Sequence, residues 1–269
     1  MTRCRSTRTR LAWITSAALL SLALPSTARA QSYEDDPTAT SWRRQSQGHR
    51  YESPQNYALE IRFGPYHPNV DDEFGDNGPY EKVFGNSTRW YIGLELDWQA
   101  IRIPHFGSIG PGFSWGYTRS KAKAKLTGTN TDSAEETSLW IMPMYAVGVV
   151  RVDVFANEFG VPLVPYLKAG FGYAWWKTSD GLGTSDYPTA DGGTVDGKGH
   201  SYGWHFAPGI ALQLDPFDKH AAHQLDNSVG VNHSYAYLEW MRSSLDGFGA
   251  NDQMRVGTST WVAGLAFEF

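Results

Sequence analysis

The sequence predicts an all-β chain, an eight-stranded antiparallel transmembrane β-barrel, from three observations. Apolar residues recur at every second position in eight segments. The last of these segments ends on Phe269, and the chain opens with basic, apolar and small-residue stretches in the order of an export signal.

The opening stretch is set aside first. Arg3, Arg5, Arg8 and Arg10 form a basic region, Leu11 to Pro25 an apolar run, and Ala28 and Ala30 the small residues before a cut at Gln31. The run is about fifteen residues, short of the ~20 a spanning helix needs, so residues 1–30 read as a cleaved signal peptide. Cys4 is the only cysteine and falls inside it, so the mature chain is expected to have no disulfide, thiolate nucleophile or cysteine-ligated metal. Removing the peptide leaves 18 basic against 28 acidic residues, a formal charge of −10, which argues against a nucleic-acid partner. Residues 31–56, rich in Gln, Ser and charge, read as a flexible periplasmic leader before a barrel over 57–269.

The first strand, 57–66, sets Tyr57, Leu59, Ile61, Phe63 and Pro65 against Ala58, Glu60, Arg62, Gly64 and Tyr66. The second, 90–99, sets Trp90, Ile92, Leu94, Leu96 and Trp98 against Tyr91, Gly93, Glu95, Asp97 and Gln99. The third, 109–118, sets Ile109, Pro111, Phe113, Trp115 and Tyr117 against Gly110, Gly112, Ser114, Gly116 and Thr118. A fourth starts near Leu139 and aligns Ile141, Pro143, Tyr145, Val147 and Val149 as its apolar face. Arg151 and Asp153 then fall on that parity, which predicts a bulge near Gly148. The fifth runs from Pro165 to Trp175 with Lys168 on its small-residue face, and the sixth from Tyr202 to Leu214 with His205 there. The seventh sets Ala236, Leu238 and Trp240 against Tyr235, Tyr237 and Glu239. The eighth sets Trp261, Ala263, Leu265, Phe267 and Phe269 against Val262, Gly264, Ala266 and Glu268.

Each segment is near the ~9–11 residues with which a tilted strand crosses a bilayer. A low mean hydropathy does not exclude this, because alternation hides the apolar face from bulk measures. The second face, rich in Gly, Ala and Ser with isolated charges, suits a narrow, filled lumen, leaving the apolar face for lipid. Long polar connections at 67–89, 119–137, 177–200 and 247–258 then lie outside, and short ones near His105 and Asn157 inside. The inner connection 215–230 is longer, and Phe217, Ala221 and Leu225 at four-residue spacing predict a short periplasmic helix between strands six and seven. Trp90, Trp140, Trp175, Trp204 and Trp261 fall near the outer strand ends as an aromatic girdle, with Trp98, Phe106, Phe217, Phe267 and Phe269 for the inner one.

The final segment, with Trp261, Leu265, Phe267 and Phe269 on one face, resembles the assembly signal that outer-membrane barrels present to the barrel-insertion machinery. The stretches Leu59 to Tyr66, Pro79-Tyr80, Phe84-Gly85, Leu94 to Asp97 and Pro162 to Gly172 resemble a family of small outer-membrane β-barrels known chiefly from myxobacteria, of the OmpA/OmpW-like eight-stranded kind. That resemblance implies a fold and a place in the bacterial outer membrane, and brings no activity or cofactor with it. The expected partners are outer-membrane lipid including lipopolysaccharide, and the insertion machinery and periplasmic chaperones during biogenesis.

The lumen-facing parity collects Glu60, Arg62, Glu95, Asp97, Lys168, His205, Glu239 and Glu268. These could line an ion path or small-solute channel, or pair with one another and plug a barrel too narrow to conduct; eight strands favour the plug. A catalytic barrel would need a nucleophile and base within reach, and the local candidate is His233-Ser234 with Glu239. Neighbours on a strand point to opposite faces, so His233 and Ser234 are expected to diverge and the chain is read as no enzyme. The loop Asp71-Asp72-Glu73-Phe74-Gly75-Asp76-Asn77-Gly78 groups oxygen ligands as a calcium loop does, but lacks the EF-hand spacing, and reads as a solvated acidic loop. The eight histidines show no metal-ligand spacing, so no metal is expected. The favoured function is a structural or surface-interaction barrel that presents its outer loops for binding.

Overall fold

In the computed structural model, the described residues are 56–269 apart from 75–77, 87, 126–131, 181–182, 189–191 and 251–252. The signal peptide and all of the leader except Asn56 lie outside them.

Alternation is realised as eight long strands: β1 (Tyr57–Tyr66), β2 (Arg89–Trp98), β3 (Gly107–Lys125), β4 (Asp132–Val152), β5 (Leu163–Asp180), β6 (Lys198–Gln213), β7 (His233–Leu245) and β8 (Thr258–Glu268). Each pairs antiparallel with its neighbours in sequence. The ring closes where β8 pairs with β1, from Ala58 opposite Glu268 to Phe63 opposite Ala263. The seam continues as the Phe269 N–H donates to the Tyr57 carbonyl at 3.0 Å and the Tyr57 N–H to the Phe269 carbonyl at 3.0 Å. The fold is a closed eight-stranded antiparallel barrel, and among the described residues none of its eight strands is an edge strand.

Burial runs opposite to that of a water-soluble protein. Arg62, Lys168 and Glu239 are fully buried, while Trp90 is 76% exposed, Phe171 57% and Ile92 53%. A contiguous apolar wall of this kind is far larger than monomeric soluble proteins present to water. The interior is filled by the opposite parity, as expected for eight strands, whose lumen is just wide enough for side chains. Tyr66, Tyr91, Tyr145, Met241, Leu245, Val256 and Val262 pack one end of it. Val164, Tyr166, Tyr235 and Tyr237 pack the end nearer the chain termini.

The fourth strand departs from expectation. Leu139, Ile141, Tyr145, Val147 and Val149 are buried in the lumen, and the register with β3 and β5 passes Gly148 without a bulge. The β3–β4 register shifts only between Lys123 and Lys125. Both faces of β4 are apolar, with Trp140, Met142 and Met144 on the outer one, so hydropathy alone gives its orientation no contrast. Arg151, which seemed out of phase, is therefore in phase and enters the lumen.

Two expected loops are largely strand. Residues 119–125 and 132–137 belong to the ends of β3 and β4, and β5 runs to Asp180 before short pairings of Gly183–Thr184 with β5 and of Asp186–Pro188 with Thr194–Asp196. The connection 67–89 holds a 3-10 turn, Asn69–Glu73, and a helix α1, Pro79–Phe84. At the opposite end, Ile101–Ile103 pairs with β3, α2 spans Val154–Asn157, and α3 spans Lys219–Val229 in the β6–β7 connection, where a short helix was predicted.

Candidate functional site

The lumen gathers charge from six strands. Arg151 on β4 places Nη2 2.7 Å from Glu60 Oε1 of β1 and 2.6 Å from Asp97 Oδ2 of β2, and Nη1 3.3 Å from Glu268 Oε1 of β8. Lys168 on β5 places Nζ 2.5 Å from Glu60 Oε2, 2.7 Å from Glu95 Oε1 and 3.6 Å from Glu239 Oε2. Arg62 on β1 pairs with Glu95 and with Glu239, and donates from Nη1 to Ser114 Oγ of β3 at 3.2 Å.

Neutral donors add to these pairings at Glu239 and Glu268. The Tyr166 hydroxyl donates to Glu239 Oε2 at 3.0 Å, the Tyr235 hydroxyl to Glu268 Oε2 at 3.0 Å, and Gln99 Nε2 to Glu268 Oε1 at 2.7 Å. Lys168 Nζ also stands 5.1 Å above the Tyr166 ring, a cation–π distance. Three cations thus meet five carboxylates, each group at most 6% exposed. Unpaired, such charges could not be buried; paired and hydrogen-bonded, they can.

Of the lumen residues named from sequence, Glu60, Arg62, Glu95, Asp97, Lys168, Glu239 and Glu268 join this network. His205 is buried beside it, stacked on Tyr145 with ring centroids 3.9 Å apart, and neither ring nitrogen has a hydrogen-bond partner among the described residues. Arg151 was missed because β4 had been oriented the other way. Two signals pointed to it: its own charge on the supposed lipid face, and Trp140, which belongs in a girdle only if the even-numbered residues face outward. Glu60, Glu95 and Asp97 bring carboxylate oxygens within 4.8 Å of one another, as a metal site would, but Lys168 and Arg151 already supply their counter-charge.

Two recesses lie at the ends of the barrel and share no lining residue. One of about 300 Å³, bordered by Asp72, Arg242, Ser243 and Thr258, takes in residues of both strand parities; the other, about 360 Å³, is bordered by Arg151, Tyr235 and Glu268. The network and its flanking tyrosines lie between them.

No protein-family model matches the chain, and no curated protein does. Among solved structures it is similar to Ail, the attachment invasion locus protein of Yersinia pestis, crystallised with the heparin analogue sucrose octasulfate. Identity is 12%, the match covers 80% of this chain and 97% of that one, and the TM-score is 0.40. It is also similar to the N-terminal β-barrel domain of Pseudomonas aeruginosa OprF, at 11% identity, 80% and 98% coverage, and a TM-score of 0.36.

On the outer wall Trp90, Trp175, Trp204 and Trp261 are all exposed, and Trp140 is half-covered by the Arg119 guanidinium 4.4 Å above its ring. Leu265 and Phe269 point outward from β8. His233 and Ser234 do not diverge as expected. At the strand end both reach Asp215, with His233 Nδ1 2.5 Å from Oδ2 and the Ser234 hydroxyl donating to Oδ1 at 3.1 Å. The carboxylate stands between them, so the serine proton points at Asp215 rather than at an imidazole base, and Glu239 is engaged elsewhere in the network. Burial pushes the Asp215 carboxyl up, but hydrogen bonds from His233, Gln213 and the Ser234 backbone outweigh it and hold it below the usual carboxylate value. In the acidic loop, Asp71 accepts the Tyr80 and Glu81 backbone N–H groups at 2.7 and 2.8 Å, a structural use of that carboxylate; Gly75, Asp76 and Asn77 lie outside the described residues.

Proposed function

We propose that the mature chain is a bacterial outer-membrane barrel with a structural or surface-interaction role, its lumen closed by the ion network and its outer connections presented for binding. The observation that carries this is the inversion of burial: a charged, hydrogen-bonded interior inside an exposed wall of Trp, Phe, Ile and Leu. Such a wall is suited to hydrocarbon. Trp90 and Trp261 near the ends of β2 and β8, and Trp140, Trp175 and Trp204 further inside longer strands, suit the headgroup boundary, and the terminal Leu265, Phe267 and Phe269 suit recognition by the insertion machinery after escort by periplasmic chaperones. β3 and β4, of 19 and 21 residues, exceed the ~9–11 needed to cross and so carry wall beyond the membrane, where lipopolysaccharide and other surface partners are met.

Planar-bilayer recording of the purified barrel tests the closed lumen: no steady conductance is expected, and one abolished by charge reversal at Arg62 would overturn it in favour of a small-solute channel. Liposome swelling with small sugars reads the same distinction by solute entry. The chain is read as non-catalytic because the Ser234 hydroxyl is turned to Asp215, a carboxylate held below its usual value and so a weak base, rather than to an imidazole; altered lipid A in a strain lacking the protein would reverse that.

A further inference from the structure

The ladder between β6 and β7 is interrupted. It pairs Phe206 with Arg242, then resumes with Gly209 opposite Glu239. Pro208 sits in the gap and has no N–H to donate, although on its other side β6 pairs with β5 without a break. On the outer wall at this point lies a groove of about 450 Å³, lined by Pro208, Gly209, Ile210, Leu238, Trp240 and Trp261. It has no charged lining residue, and it opens onto the apolar wall rather than the lumen.

Arg242 follows Trp240 on the same outward parity of β7, one row nearer the long-hairpin end, with Phe206 beside it on β6 and Ser259 on β8. It is exposed, and among the described residues its guanidinium forms no ion pair or hydrogen bond. The other outward arginines near that end are engaged: Arg119 pairs with Glu136 and covers Trp140, and Arg89 donates to the Phe84 and Lys121 carbonyls. Asp72 and Asp246 border the same end recess as Arg242 without pairing with it. An unneutralised arginine at the margin of a lipid-facing belt is costly unless an anion meets it, and guanidinium matches a phosphate in a two-pronged fit.

The geometry points to a lipid-binding site in which Arg242 takes the phosphate of an anionic membrane lipid and the Pro208–Trp240–Trp261 groove takes one of its acyl chains. This rests on the barrel spanning a membrane. The cation fixes the headgroup class and the adjoining groove the tail, so a single occupant satisfies both, which neither a free phosphate nor an uncharged lipid does.

The test uses the full mature chain, refolded into micelles and examined by native mass spectrometry with added phosphatidylglycerol or phosphatidylcholine. One phosphatidylglycerol should be retained about tenfold more tightly than phosphatidylcholine, whose choline ammonium offsets the phosphate charge that Arg242 would otherwise pair with. Arg242→Gln should abolish the preference, and Leu238→Trp, which fills the groove, should weaken retention of both lipids. Equal retention of the two lipids by the unmodified protein, or an undiminished preference in Arg242→Gln, would overturn the site. Insertion into liposomes is scored in parallel: insertion without lipid preference rejects this site alone, whereas failure to insert rejects the membrane reading with it.

Discussion

Arg151 holds three carboxylates at once, of which Glu60 is also met by Lys168 and Glu268 by the neutral donors Gln99 and Tyr235. Arg151→Met should strip Asp97 and Glu268 of this counter-charge inside the lumen and cost on the order of 3–5 kcal/mol, seen as a lower urea midpoint for the refolded barrel. Arg151→Lys should recover only part, because one ammonium does not reproduce the planar fork that spans three partners. At the termini end, Asp215 gives a pH signature. Its carboxyl is held below the usual value, so its contribution is complete above the unfolded-state value near 4 and is lost as pH falls through the lowered folded value. Asp215→Asn should remove that part of the acid dependence in unfolding titrations between about pH 2 and 6 and cost about 1–2 kcal/mol at neutral pH. The residues of the network were legible wherever a charge stood among glycines and alanines on an otherwise clean strand, as with Glu60, Glu95 and Lys168. The contact of both His233 and Ser234 with Asp215 was not, because it depends on a carboxylate arriving from the turn after β6 rather than on alternation.

At the level of elements, β1, β2, β3, β5, β6, β7 and β8 could be oriented from sequence because one face is large and apolar and the other small or charged. β4 could not, since Ile141, Tyr145 and Val147 fill the lumen as readily as they would face lipid. The ends of β3 and β4 were hidden differently: Arg119, Lys121 and Lys123 read as loop, yet they share the outward parity of β3, and a strand carries charge on that face once it is solvated. Small residues inside the ring have a definite task. A Cβ at Gly116 would stand 2.2 Å from Tyr91 Cε2, and Tyr91 itself stacks on Tyr66 at 5.9 Å. Gly116→Leu should therefore push the buried ring from its place and destabilise the barrel by about 1–3 kcal/mol, read from the same urea midpoint; an unchanged midpoint would show the ring to be free to move.

For the molecule as a whole, the network is a check on register. Its members come from β1, β2, β4, β5, β7 and β8, with Ser114 adding β3, so a two-residue slip of any one of those six charged strands would leave buried charge unmatched even though the alternation of faces survived. In proteoliposomes, protease added outside should cut the β3–β4 hairpin at Lys121 or Lys123 in outward-facing molecules while the ring stays intact on unheated gels; cleavage within β1 or β8 would contradict the closed wall.

The balance of three cations to five carboxylates has a further consequence for ion traffic. The buried network, drawn from six strands, thus holds more carboxylates than cations. Any leak opened by loosening the packing, at Gly116 for instance, should be permselective, admitting potassium ahead of chloride, with a reversal potential under a salt gradient displaced toward that of the cation.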